Sequence, residues 1–345
     1  MRRVSALLLA ASLVLTFAIA TIVARQAAAP AFTPPRGLTA MAIPVPSDNP
    51  MTAARIALGK QLFFDTRLSR TKKMSCETCH VPEKGWTDGL ALSPKFDGVP
   101  NTRHTPTLYG TAYYPDLYWD GRSKGLETQI LAAWKSQMGA DPEAIAADVN
   151  AIPGYKAAFE KEFGGPATGP RIVQALATFV RTIHAGDTEW DRMNQDPATL
   201  KNNPVGRGFL VFSDVAHCTN CHLPPLFSDT LFHNTGVGYV NGENKDPGRG
   251  KVASNDPTMM SAFKTPSLRG VAITGPYFHD GSAETLEEAV DFMLKGGIKN
   301  PNLDEKLQVW EVSAQQRRDL LTFLRALTPA DAKGRYPRPT LPSGS

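Results

Sequence analysis

The feature that most limits what this 345-residue chain can become is the placing of its four cysteines. They fall as Cys76-Glu77-Thr78-Cys79-His80 and Cys218-Thr219-Asn220-Cys221-His222, two copies of C-x-x-C-H with no cysteine left over. Two thiols three positions apart on one turn can each add to a haem vinyl group, and the next residue brings an imidazole under the iron. Disulfides are the default for cysteine in an exported chain, and paired C-x-x-C is also a zinc pattern. Neither requires histidine directly after each pair, and a redox C-x-x-C belongs to a thioredoxin-like α/β pattern that this sequence lacks. The spacing therefore predicts two covalent haems c on Cys76, Cys79, Cys218 and Cys221, with His80 and His222 as iron ligands.

Export is read from the N-terminus. Met1-Arg2-Arg3 leads into an apolar run from Val4 to Ala24, followed by Ala27, Ala28 and Ala29. That is the pattern of a signal peptide over residues 1–29; the run is also long enough to span a bilayer, so an uncleaved anchor is the other reading. Either way the rest of the chain is expected in the periplasm. Of the net charge of +4, three units sit on Arg2, Arg3 and Arg25, so the remainder carries only +1 and offers no basic face for nucleic acid. A hydrophobic share of 42% with 20% charged residues fits a globular protein.

The motifs belong to a duplicated unit. Leu58-Gly59-Lys60-Gln61-Leu62-Phe63-Phe64-Asp65 precedes the first, and Val205-Gly206-Arg207-Gly208-Phe209-Leu210-Val211-Phe212-Ser213-Asp214 the second. Thr105-Pro106-Thr107-Leu108 recurs 160 residues later as Thr265-Pro266-Ser267-Leu268. At the same offset Trp119-Asp120-Gly121 pairs with His279-Asp280-Gly281, and Leu126-Glu127 with Leu286-Glu287. Self-similarity of this kind implies two copies of one fold. In the second copy a helix should start at Thr285 with a Glu288 capping box and stop at Gly296-Gly297, carrying Met293 on its apolar stripe. Position alone leaves Met293 as core packing or as a thioether ligand to the second haem. The first copy has Ala133 there, which cannot bind iron. The repeat thus predicts an open first haem, able to take a small molecule, and a capped second haem that passes electrons. Gln129 and Gln137 flank Ala133 at four-residue spacing and should face the open side; the alternative is that they are simply polar residues on a half-solvated helix.

Taken together, Leu62-Phe63-Phe64-Asp65, Arg67-Leu68-Ser69, Thr87-Asp88-Gly89, Trp119-Asp120-Gly121-Arg122, Phe232-His233-Asn234, Lys264-Thr265-Pro266 and Pro276-Tyr277-Phe278-His279-Asp280-Gly281 resemble the bacterial di-haem cytochrome c peroxidase and MauG superfamily over residues 50–330. The resemblance implies an all-α fold of two cytochrome c-like domains, set here at residues 30–195 and 196–330 with a tail over 331–345. It implies Met293 as the distal ligand of the second haem, where MauG has tyrosine. It makes Trp119 the relay between the haems and Gln129 a residue of the distal pocket. Three departures stand out. The family's distal glutamate is Gln137 in Gln137-Met138-Gly139, and Gln cannot take a proton; Asp141 is the nearest carboxylate. No histidine occurs in 81–103 to block the first iron, so that haem is expected five-coordinate or water-bound at rest. The asparagine of an inter-haem calcium site is His104, leaving only the backbone carbonyls of Thr274 and Pro276.

The expected activity is that of a cytochrome-c peroxidase-type oxidoreductase, reducing hydrogen peroxide with electrons from a small c-type cytochrome or cupredoxin. A MauG-like oxidase acting on a protein substrate and a non-catalytic dihaem electron carrier are the alternatives. The chain is expected as a monomer or homodimer. Elsewhere, a helix is expected from Pro170 to Gly186 carrying His184, a linker from Asp196 to Pro204, and a last helix with a Ser313/Gln316 capping box ending before Pro329.

Overall fold

The computed structural model describes residues 32–193, 196–330, 332, 334 and 336–343. Its helices run α1 Ala53–Phe63, α2 Leu126–Gln137, α3 Pro142–Asn150, α4 Pro153–Phe163, α5 Gly169–Val180, α6 Glu189–Arg192, α7 Pro197–Asn202, α8 Pro204–Leu210, α9 Leu286–Leu294 and α10 Ala314–Ala326. The fold is helical, as expected, with small antiparallel ladders added. Asp116–Leu117 pairs with Ser123–Lys124, Phe232–His233 with Phe263–Lys264, and Tyr239–Val240 with Glu243–Asn244.

Each half is built on one close helix crossing. Helix α1 meets α5 at Gly59, where a β-carbon would come 1.9 Å from the Ala175 carbonyl oxygen. Helix α8 meets α10 at Gly208, where it would come 2.0 Å from the Asp319 carbonyl. Only glycine lets the backbones approach this far. Around the crossings lie two apolar cores. Leu62, Phe63, Trp86 and Phe179 belong to the first, against which Cys76 packs. Phe212, Phe227, Phe323 and Leu324 belong to the second, against which Cys218 packs. Both cores lie within one compact unit, Pro34–Ser345.

The internal repeat is reproduced in the backbone at an offset of 160. Gly110 and Gly270 are both left-handed (φ 68° and 75°), each followed by a 3₁₀ turn, Thr111–Tyr113 and Val271–Ile273. Leu117 pairs with Ser123 and Tyr277 with Ala283. Tyr118 and Phe278 are both left-handed, φ 64° and 69°. Helices α2 and α9 then begin at Leu126 and Leu286.

The expected caps are present. Thr285 and Glu288 close a capping box on α9, and Ser313 and Gln316 on α10; Gly296 and Gly297 turn left-handed after α9. Three expectations are corrected. The helix read as 170–186 ends at Val180, and His184 lies beyond it, buried, with its ring 5.3 Å from that of Tyr113. The expected linker 196–204 holds α7, because Asp196-Pro197 and Asn203-Pro204 act as cap and first-turn pairs. The described stretch 336–343 of the expected tail is not loose. Tyr336 packs edge-on against Trp86 and donates to the Thr182 carbonyl, Arg338 pairs with Glu77 and Glu83, and Arg67 donates to the Pro342 carbonyl. No helix among the described residues is long and apolar enough to cross a membrane; the run from Val4 to Ala24 lies outside them.

Candidate active site: two C-x-x-C-H turns on one cavity

Each motif forms a single 3₁₀ turn, Cys76–Thr78 and Cys218–Asn220. The turn is closed by the His80 amide on the Cys76 carbonyl (3.0 Å) and the His222 amide on the Cys218 carbonyl (2.8 Å). The imidazoles are held alike. Nδ1 of His80 donates to the Trp86 carbonyl and Nδ1 of His222 to the Phe227 carbonyl, both at 2.9 Å. Nε2 is thereby left as the free nitrogen in each ring. Burial, only partly opposed by those carbonyls, lowers both histidine pKa values and keeps the rings neutral, as an iron ligand must be.

The four cysteines form no disulfide. Burial pushes Cys76 and Cys218, as free thiols, up to about 12 and Cys79 to about 11. Thiolates are disfavoured here in the absence of a metal, which speaks against a reactive free thiol. Paired sulfurs beside a neutral imidazole with Nε2 free, opening on an apolar cavity, are the donor set of haem c.

One continuous cavity is lined by both turns. Above the first turn stands α2. Its Leu126 and Trp134 are buried in the core, and Trp134 is locked by donating to the Leu68 carbonyl at 2.7 Å. Gln129, Ala133 and Gln137 occupy the cavity side, as their spacing predicted. Above the second turn stands α9, with Leu286, Ala289, Val290 and Leu294 buried and Met293 on the cavity. Asp141 does not replace the missing glutamate. It is exposed, lies outside the cavity lining, and its carboxylate caps α3 by accepting the Glu143 and Ala144 amides.

Trp119 lines the same cavity. Its indole donates to the His104 carbonyl at 2.8 Å, and its own carbonyl accepts the Lys264 amide at 2.8 Å. Nearby, Arg103 bridges Asp120 and Asp246, one from each half. The His104 imidazole is buried and donates to the Leu90 carbonyl at 2.8 Å. A hard cation wants oxygen donors, and here the Thr274 backbone meets the His104 imidazole. The residues present do not fit the calcium site that the resemblance implied.

The remaining histidines are each held by neighbouring side chains. His233 sits between Asp304 (2.6 Å) and Asp229 (2.8 Å), with Cys221 near enough to complete a three-residue cluster. Cys221 is already committed to the second motif. His279 stacks on Phe263 at 3.6 Å, and His217 lines the cavity against Trp310. The sequence reading overlooked Tyr118, which also lines the cavity; the signal was available, because the offset of 160 pairs it with Phe278.

These features match known proteins. The family model described as di-haem cytochrome c peroxidase matches residues 53–199. The chain is 40% identical to the methylamine utilization protein MauG of Methylorubrum extorquens, over 83% of this chain and 81% of that one. It is 35% identical to the cytochrome-c peroxidase IdrP1 of Denitromonas iodatirespirans, over 92% and 93% respectively. The crystal structure of a MauG-like protein associated with microbial copper homeostasis superposes with a TM-score of 0.78 at 28% identity, covering 91% of this chain and 99% of that one. The chain belongs to the di-haem cytochrome c peroxidase and MauG family.

Proposed function

We propose that this protein is a periplasmic peroxidase that reduces hydrogen peroxide at an open first haem, drawing electrons through a capped second haem. The observation that carries the reading is the asymmetry between the copies: Met293 faces the cavity on α9, and Ala133 stands in its place on α2. When bound, the haems would supply the redox chemistry, the first held by Cys76, Cys79 and His80 and the second by Cys218, Cys221, His222 and Met293. The chain supplies the rest. Trp86 and Phe227 fix the two proximal imidazoles, Gln129 and Gln137 offer amides to an oxygen ligand, and Trp119, on the shared cavity, serves as the relay. A small c-type cytochrome or copper protein is the electron donor that suits such a carrier haem.

A second reading is favoured by one observation, the 40% identity to a MauG. In it the same open haem oxidises a side chain of a protein partner. Met293 instead of tyrosine favours the peroxidase.

Electron paramagnetic resonance of the fully oxidised protein, followed by peroxide titration, tests the reading. A high-spin ferric signal beside a low-spin one is expected, with the high-spin signal lost on adding peroxide. Two low-spin signals that peroxide leaves unchanged would reduce the protein to an electron carrier. Fast turnover with reduced cytochrome c separates the peroxidase from the protein oxidase.

A further inference from the structure

The two copies differ above their histidines by more than the missing sulfur. At the offset of 160, Tyr118 replaces Phe278, Gln129 replaces Ala289 and Gln137 replaces Gly297. All three polar side chains line the cavity in the copy that carries Ala133. The backbone is the same in both, with Tyr118 and Phe278 left-handed at φ 64° and 69°. The strained conformation therefore belongs to the repeat, and what distinguishes the first copy is the hydroxyl. Phe278 spends its ring on packing, 4.9 Å from Phe292. The Tyr118 ring is instead covered by the Arg122 guanidinium, 3.4 Å from its centroid, and Arg122 is itself tied to Asp120.

We propose that Tyr118 is the hydrogen-bond donor that grips an oxygen ligand on the first haem iron. It thereby fills part of the place left by the absent distal carboxylate. The inference rests on the reading of that haem as open.

Three observations support it. The cavity side of α2 offers two amides and no acid, so the phenol is the one ionisable oxygen acid among Tyr118, Gln129 and Gln137. Burial raises the pKa of the phenol, and Arg122 and Gln129, which both interact with it, oppose the rise only in part. The proton therefore stays on the oxygen at neutral pH and is available for donation, whereas a phenolate could only accept. The Gln129 carbonyl oxygen is buried and has no hydrogen-bond partner among the described residues, so the phenol stands among polar groups rather than in an apolar wall.

Fluoride tests this, because it binds open ferric haem and accepts hydrogen bonds strongly. Wild type and Tyr118→Phe are titrated with fluoride in the oxidised state, and carbon monoxide, a poor acceptor, is titrated on the reduced protein. Tyr118→Phe keeps the fold, since phenylalanine already occupies the same backbone position in the second copy; haem content and the spectrum of the second haem check this. About a tenfold loss of fluoride affinity is expected, the effect of one neutral hydrogen bond, with a shifted charge-transfer band and unchanged carbon monoxide binding. Equal fluoride affinity and an unshifted band in the two proteins would overturn the proposal and leave the open-haem reading standing. Failure of the wild type to bind fluoride at all would overturn both.

Discussion

His233 shows how much charge one side chain can gather in this fold. Burial works against its protonation, but Asp229, Cys221 and Asp304 outweigh it and raise its pKa to about 10. Once Cys221 is a thioether, the two carboxylates remain to hold the ring charged. The folded-state pKa lies above the ordinary 6.5, so the stabilisation is complete below that value and is lost as pH rises through the folded-state pKa. His233→Gln should melt below wild type near pH 6, and the gap should close as pH rises through the raised folded-state value. A constant gap across that range would show that packing, not charge, is what the ring contributes. At this scale the paired turns were readable because C-x-x-C-H is a local pattern: both motifs fold as the same 3₁₀ turn with the histidine Nδ1 on a backbone carbonyl. Tyr118 was not singled out, because a tyrosine beside Trp119 has no signature until it is set against Phe278.

At the scale of elements, the capping boxes were legible because they are made within four residues. Thr285 accepts the Glu288 amide at 3.2 Å, and Glu288 accepts the Thr285 amide at 2.9 Å. Removing the hydroxyl with Thr285→Ala should cost about 1 kcal/mol, lower the melting temperature by about 2 °C, and loosen the helix that presents Met293. Scanning calorimetry with Ser136→Ala as an exposed control checks this; equal melting of the two variants would remove the cap from the account. The end of α5 was misread for a physical reason. Ile183 and His184 are as buried as the helix before them, and an apolar run does not distinguish a buried coil from a buried helix. The Asn- and Pro-rich stretch before Gly206 was misread because the residues that break helices also start them.

Over the whole molecule, the second copy and the chain end both return to the first motif. Trp86, whose carbonyl orients His80, is packed at 5.0 Å by Tyr336, and Glu77 within the first motif pairs with Arg338. None of this was legible, since contacts across about 250 residues leave no periodic trace in sequence. Deleting residues 336–345 should lower stability and change the spectrum and midpoint potential of the first haem while sparing the second. Redox titration of each haem checks it; equal disturbance of both, or of neither, would contradict the assignment.

The strap has a temporal side as well. Ribosomes deliver Cys76 and His80 long before Tyr336 and Arg338. The first motif therefore waits for residues 336–338 before its surroundings are complete, and the second waits in the same way for Phe323 and Leu324 of α10. A half-length chain ending near Asp196 would present its C-x-x-C-H turn with an unfinished wall, so the two sites cannot mature as independent modules.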